Sequence, residues 1–277
     1  MPTVELGGSV RLAYEIRGGP KEPTVLVHGS WVDRHTWDRL VGPLSQGVEL
    51  ITYDRRGHGE STGPLRRHPV RDDAADLAGL LEAIDVHPVH VVGHSYGAAV
   101  AFRLAHDRPE MVRSLSVHEP PYIGLLAEDP ATAGEAARVL ADVARLRARV
   151  EAGDPEEAAR GVVDALSLRP GAWERLPVEV RAAFLRHAAR WCEESEDPDL
   201  LHPDRAALHE LLLPILLTSG ELSPPYLRAT RSALEPLLRN VVARELPETG
   251  HVPHLTSPAQ YVGLLVTFLL ERNVPVT

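Results

Sequence analysis

The stretch Val91-Val92-Gly93-His94-Ser95-Tyr96-Gly97 limits what this chain can fold into more than any other. The apolar residues from Val89 read as a short buried strand, and Ala98 to His106 read as a helix. A serine framed by two glycines between strand and helix sits on a sharp turn, and glycine at 93 and 97 removes side chains that would collide with the neighbouring elements. Such a turn holds Ser95 in a strained conformation and exposes its hydroxyl at a helix N-terminus, where backbone N–H groups favour developing negative charge.

The remaining pattern supplies the frame for that turn. Strands are expected at Thr3–Leu6, Val10–Ile16, Thr24–Val27, Leu50–Tyr53, Val89–Val92, Val112–Val117, Ile215–Leu217 and Val241–Leu246. Helices are expected at Thr36–Leu44, Val70–Ile84, Tyr226–Leu238 and Pro258–Leu270. Strands alternating with helices predict a mostly parallel sheet covered on both faces. Between 121 and 212 the strand pattern stops. Helical patterns opening near prolines, at Pro130, Pro155, Pro177 and Pro203, replace it. This divides the chain into a core, 1–120 with 213–277, and a helical cap, 121–212.

Composition removes several classes of function. A net charge of -10 argues against a nucleic-acid or anionic-membrane partner, each of which wants a basic face. No run of apolar residues approaches the roughly 18 of a membrane span, and no signal-peptide pattern opens the chain, so a cytoplasmic location is expected. A single cysteine, Cys192, excludes an intrachain disulfide, and the fourteen histidines show no metal-binding spacing. No metal or organic cofactor is expected, and pairing with a second copy of the chain is left open.

Ligands of open parallel sheets sit beyond the C-terminal strand ends. The residues there are His28-Gly29-Ser30-Trp31, Ser95, Glu119, Glu221 and Gly250-His251. A serine hydroxyl needs an imidazole to take its proton and a carboxylate to hold that imidazole's tautomer, so serine, acid and histidine form one functional set. The N–H groups of Ser30 and Tyr96 are the expected oxyanion donors, each worth about 3 kcal/mol to a transition state. Trp31 is the expected pocket wall. Two choices stay open: His251 is preferred to His254 because Gly250 marks its loop, and Glu119 is preferred to Glu221.

With Val25-Leu26-Val27-His28-Gly29, Asp54-Arg55-Arg56-Gly57-His58-Gly59, Gly93-His94-Ser95-Tyr96-Gly97 and Gly250-His251 in hand, the chain resembles the alpha/beta-hydrolase superfamily along nearly its whole length. The resemblance implies an α/β fold with a mostly parallel eight-stranded sheet and a cap insertion, and it places the general base at His251. Many members carry an acid three residues beyond the glycine after the strand at 215–217, where this chain has Ser223. Others take a glutamate from the end of the preceding core strand, which matches Glu119. The implied activity is hydrolysis of a small-molecule carboxylic ester through an acyl-enzyme. A lactonase, a C–C bond hydrolase, a cofactor-free haloperoxidase-like enzyme and a non-catalytic binding protein are the alternatives, the C–C reading being weakened by Val252 where relatives often carry tryptophan.

Overall fold

The computed structural model describes residues 1–19, 21–64 and 69–270. Its eight strands are β1 (Thr3–Leu6), β2 (Val10–Arg17), β3 (Pro23–Val27), β4 (Glu49–Tyr53), β5 (Val89–His94), β6 (Val112–His118), β7 (Ile215–Gly220) and β8 (Val241–Leu246). They form one sheet in the order β1-β2-β4-β3-β5-β6-β7-β8. β1 and β2 join antiparallel at one edge, and every pair from β4 to β8 is parallel.

The core helices are α1 (Asp38–Leu44), α2 (Pro69–Ala83) and α3 (Tyr96–Asp107). The insertion contributes α4 (Ala133–Glu151), α5 (Pro155–Ser167), α6 (Val178–Ser195), α7 (Pro198–Leu201) and α8 (Arg205–Glu210). The core then resumes with α9 (Pro225–Leu234), α10 (Pro253–Thr256) and α11 (Pro258–Leu270).

Successive strand side chains point to opposite faces, so a sheet covered on both sides needs apolar residues at consecutive positions. The central strands follow that rule. Val25, Val27 and Val91 face a cluster with Leu77 and Leu81 of α2 and Val100 and Leu104 of α3. Leu26, Val92 and Leu216 face the opposite cluster, with Leu40 of α1 and Tyr261 and Leu265 of α11. Burying each such leucine contributes about 1.5–3 kcal/mol, which fixes strand register, since a slip of one residue would exchange the two faces.

Among the described residues the insertion is entirely helical or turn, as the proline-led patterns predict. Asp154 caps α5 by accepting the Glu157 N–H at 3.3 Å. Its apolar interior gathers Leu146, Ala158, Ala159, Trp173, Ala188 and Trp191, with Trp31 from the core loop after β3. The four-residue helices α7 and α10 escape sequence periodicity because one turn is too short to display it. Residues 34–37 wind as a 3-10 turn ahead of α1, which shortens the helix expected from Thr36.

Candidate active site

β5 ends at His94, and Ser95 reverses the chain at φ 52°, ψ -121° before α3 begins at Tyr96. This conformation costs a non-glycine residue about 1–3 kcal/mol and persists because both flanks are locked. The Ser95 N–H donates to His118 O at 2.8 Å, tying the turn to the end of β6. On the other side a Cβ at Gly97 would sit 2.2 Å from Val27 O and 2.6 Å from His28 O. Gly97 thus lets the start of α3 lie directly on the end of β3. We expect Gly97→Ala to force these backbones apart, costing about 3 kcal/mol or more and lowering the melting temperature by roughly 6 °C or more; unchanged thermal unfolding would contradict that packing.

The same contact brings the β3 loop to the serine. A Cβ at Gly29 would stand 3.2 Å from Ser95 Cβ and 3.1 Å from His94 Nδ1. The Gly29–Ser30 peptide therefore lies beside Ser95, next to the N–H groups of the first turn of α3, which have no intrahelical acceptor. The serine, oxyanion-strand and helix-start residues named from the sequence converge here.

Glu119 follows β6 with φ 47°, turned aside ahead of Pro120-Pro121. Its carboxylate is 1% exposed, accepts His251 Nδ1–H at Oε2 (2.7 Å) and accepts the Gly220 N–H at Oε1 (2.8 Å). Burial opposes its ionisation, but the adjacent His118 ring and the His251 hydrogen bond outweigh it and hold the pKa at about 2. With Nδ1 donating to Glu119, neutral His251 carries its lone pair on Nε2, the tautomer a proton acceptor requires.

The competing residues are held elsewhere. His254 is buried, its Nε2 paired with Thr36 Oγ1 at 2.9 Å and its ring 4.7 Å from Trp37. Glu221 is exposed and accepts the Glu248 N–H at 2.9 Å. His94 lies under the elbow, with Nε2–H donating to His251 O at 2.7 Å, so it braces the loop that delivers His251. Trp31, expected as a pocket wall, has φ 68° and is only 3% exposed, packed against Trp191 (4.8 Å) and Phe184 (5.7 Å). Its ring is taken up in joining cap to core.

A buried ionic network beneath the β3 loop is absent from the sequence reading. Arg55, after β4, bonds Asp73 of α2 at 2.5 Å and Glu194 of α6 at 2.7 Å. Arg190 of α6 bonds both Asp73 oxygens at 3.1 Å. Two guanidinium groups balance two carboxylates, which is what makes burial of all four tolerable. Glu194 also accepts the Ser30 hydroxyl and lies 3.2 Å from His58 Nε2. Burial opposes its ionisation as well, but Arg55 and the other partners hold its carboxyl far below the usual range. The available signal was helical spacing: His187, Arg190 and Glu194 lie on the face that also carries Ala188 and Trp191, where solvated charges have no place.

No group of three or more histidine, cysteine, aspartate or glutamate residues suited to a metal ion occurs among the described residues. The arrangement is a hydroxyl on a strained turn and, tied to that turn through His94, an imidazole oriented by a buried carboxylate, groups of the kind acyl transfer uses.

Comparison with known proteins bears on the fold and the family. Over 115 residues the chain is 31% identical to the dihydrolipoyllysine-residue acetyltransferase component of the acetoin cleaving system of Cupriavidus necator, covering 42% of this chain and 31% of that one. The match therefore spans about a third of that relative's length. Among solved structures, the enol-lactonase of Burkholderia xenovorans superposes with a TM-score of 0.77 at 20% identity, covering 97% of this chain and 99% of the other. A thermophilic esterase of Thermogutta terrifontis superposes with a TM-score of 0.74 at 23% identity, covering 98% and 97%. At these identities the superpositions speak for the fold. The alpha/beta hydrolase family model matches residues 24–264, from the first parallel strand into the final helix, and the chain is a member of that family.

Proposed function

We propose that this hydrolase cleaves small carboxylic esters through an acyl-enzyme on Ser95. The observation that carries the reading is the 2.7 Å bond from His251 Nδ1 to a buried, ionised Glu119, formed where Ser95 is held at the elbow. His251 Nε2 takes the Ser95 proton as Oγ attacks the carbonyl carbon, and Glu119 stabilises the resulting imidazolium. The carbonyl oxygen becomes an oxyanion facing the Ser30 and Tyr96 N–H groups. His251 then returns the proton to the departing alcohol, and a water activated by the same nitrogen releases the acid. A lactone is a cyclic ester and follows the same course, its alcohol remaining attached to the product. The helical cap over the loops after β3 and β4 is the element expected to set substrate size.

The test is steady-state hydrolysis of p-nitrophenyl esters from acetate to octanoate, with simple lactones in parallel, for the wild type and Ser95→Ala. Loss of at least about 1,000-fold in kcat on removing the hydroxyl, with fluorophosphonate labelling of the wild type alone, is the expected outcome. Equal activity in both proteins would discard Ser95 as nucleophile. A wild type that neither turns over nor takes the label would discard the serine-hydrolase reading.

A further inference from the structure

We propose that Arg55 and the cap residue Glu194 are positioning residues for the oxyanion hole, so that the hole is fully assembled only with the cap seated on the core. The inference rests on the serine-hydrolase reading above and adds the device that orders its two donors.

The argument starts from one peptide group. The Gly29 carbonyl and the Ser30 N–H are opposite ends of the same planar amide, so whatever fixes and polarises the carbonyl also aims and strengthens the N–H. Gly29 O accepts Arg55 Nη2–H at 3.0 Å and His28 Nδ1–H at 2.8 Å. Arg55 Nε–H reaches the preceding carbonyl, His28 O, at 3.1 Å. A planar guanidinium with two donors on consecutive carbonyls fixes the rotation of the intervening backbone, which a single hydrogen bond leaves free. The same guanidinium carbon lies 4.4 Å from the centre of the Tyr96 ring, on the residue that supplies the second donor. Arg55 therefore touches both halves of the hole through atoms that never meet substrate.

Glu194 is the counterpart from the insertion. Oε1 holds Arg55 Nη2 at 2.7 Å, and Oε2 accepts the Ser30 hydroxyl. One cap carboxylate thus grips the donor residue by its side chain and, through Arg55, the peptide that carries the donor. Residues 30 and 194 are 164 positions apart, so this bond forms only when α6 rests on the β3 loop. His187 and Trp191 of the same helix secure that seat, His187 Nδ1 through Trp31 O at 3.1 Å and Trp191 through the Trp31 ring. The device acts where charge develops on the substrate oxygen, so its effect belongs to the transition state rather than to ground-state binding.

The experiment uses the full chain and the p-nitrophenyl ester it prefers. Glu194→Gln keeps the shape and removes the charge, Arg55→Lys keeps the charge and loses the fork, and Ser30→Ala removes only the hydroxyl tether. Active sites are counted by end-point fluorophosphonate labelling, and a trifluoromethyl ketone, whose adduct with Ser95 carries the oxyanion, reports the hole directly. For Glu194→Gln and Arg55→Lys we expect kcat per labelled site to fall about 10- to 100-fold, with KM within about twofold and the ketone Ki raised by a similar factor. Should either buried-charge variant fail to fold, Ser30→Ala, at a half-buried position, carries the test with the same signature at a smaller size.

Activity lost only in proportion to labelled sites, or a kcat that falls while the ketone Ki stays at the wild-type value, would reduce the network to a structural support and overturn the proposal. A labelled, active wild type with unaffected variants removes this proposal alone. A wild type that takes no label removes the serine-hydrolase reading and this proposal with it.

Discussion

Replacing Glu119 by Gln is expected to lower kcat by about 1,000- to 10,000-fold, while replacing Glu221 by Gln leaves most activity in place. Glutamine retains an oxygen to accept the Gly220 N–H, so the fold around the site survives, but the neutral amide no longer offsets the imidazolium formed as Ser95 attacks. An amide nitrogen turned toward His251 would also favour the wrong tautomer. From an exposed loop the Glu221 carboxylate accepts the Glu248 N–H, and its neutralisation touches neither Ser95 nor His251. Because the Glu119 carboxyl is held at about 2, any loss of activity as the pH falls from 7 to about 4 belongs to another group. Steady-state kinetics of the two variants decide the matter: a larger loss of kcat in Glu221→Gln would move the acid to β7 and undo the assignment.

A steep loss of stability between pH 7 and 5 is the second expected result. Burial lowers the pKa of His28, His94 and His254 well below the ordinary value and brings His58 and His118 to about 4. A histidine kept neutral in the folded protein refuses a proton that the unfolded chain accepts below about 6.5. Its contribution is therefore intact above that pH and falls by about 1.4 kcal/mol for each further unit of acidification, down to its folded pKa. Five such residues amount at pH 5.5 to several kcal/mol, a large part of the about 5–15 kcal/mol that holds a domain together. Glu119 and Glu194, whose pKa values are depressed, add their loss as the pH falls below about 4.5. Asp54 and Asp76, raised chiefly by burial, act in the opposite sense over the same acid range. Thermal unfolding at pH 7.5, 6.5 and 5.5 should show a midpoint falling by about 10 °C or more. A flat profile to pH 5 would mean that these rings are protonated or solvated in the native state.

The legible part of the molecule was the part written in short-range pattern. Consecutive apolar residues such as Val25-Leu26-Val27 announce a strand buried on two faces, and Gly93-His94-Ser95-Tyr96-Gly97 carries its turn geometry within five residues. The eight strands and the helical insertion follow from such signals, with ends displaced by a few residues where strands continue into polar residues, as β7 does through Thr218 and Ser219 to Gly220. Glu119 could be named as a candidate because it directly follows β6, and His251 because Gly250 marks the loop between β8 and α10. What was illegible joins residues distant in sequence. Arg55 stands on a glycine-rich loop, and nothing local says that its partners lie on α2 and α6. Trp31 follows the oxyanion loop in sequence and reads as a wall of the pocket, yet its positive φ sends the ring into the cap interior, a backbone choice that residue type does not reveal.

The bond from Gly220 N–H to Glu119 Oε1 makes the proposed catalytic acid a rivet in the sheet as well. Along the β6–β7 edge the last backbone rung is Glu119 N–H to Thr218 O, after which two prolines carry the chain away and no main-chain carbonyl of β6 can meet the next donor. The glutamate side chain stands in for that carbonyl with one oxygen while the other holds the imidazole. Position 119 therefore answers to two demands at once: a length that spans the missing rung and a charge that serves His251. A shorter acid would have to abandon one oxygen's partner to keep the other's, so the architecture here selects for glutamate where a lone orienting carboxylate could have been either acid.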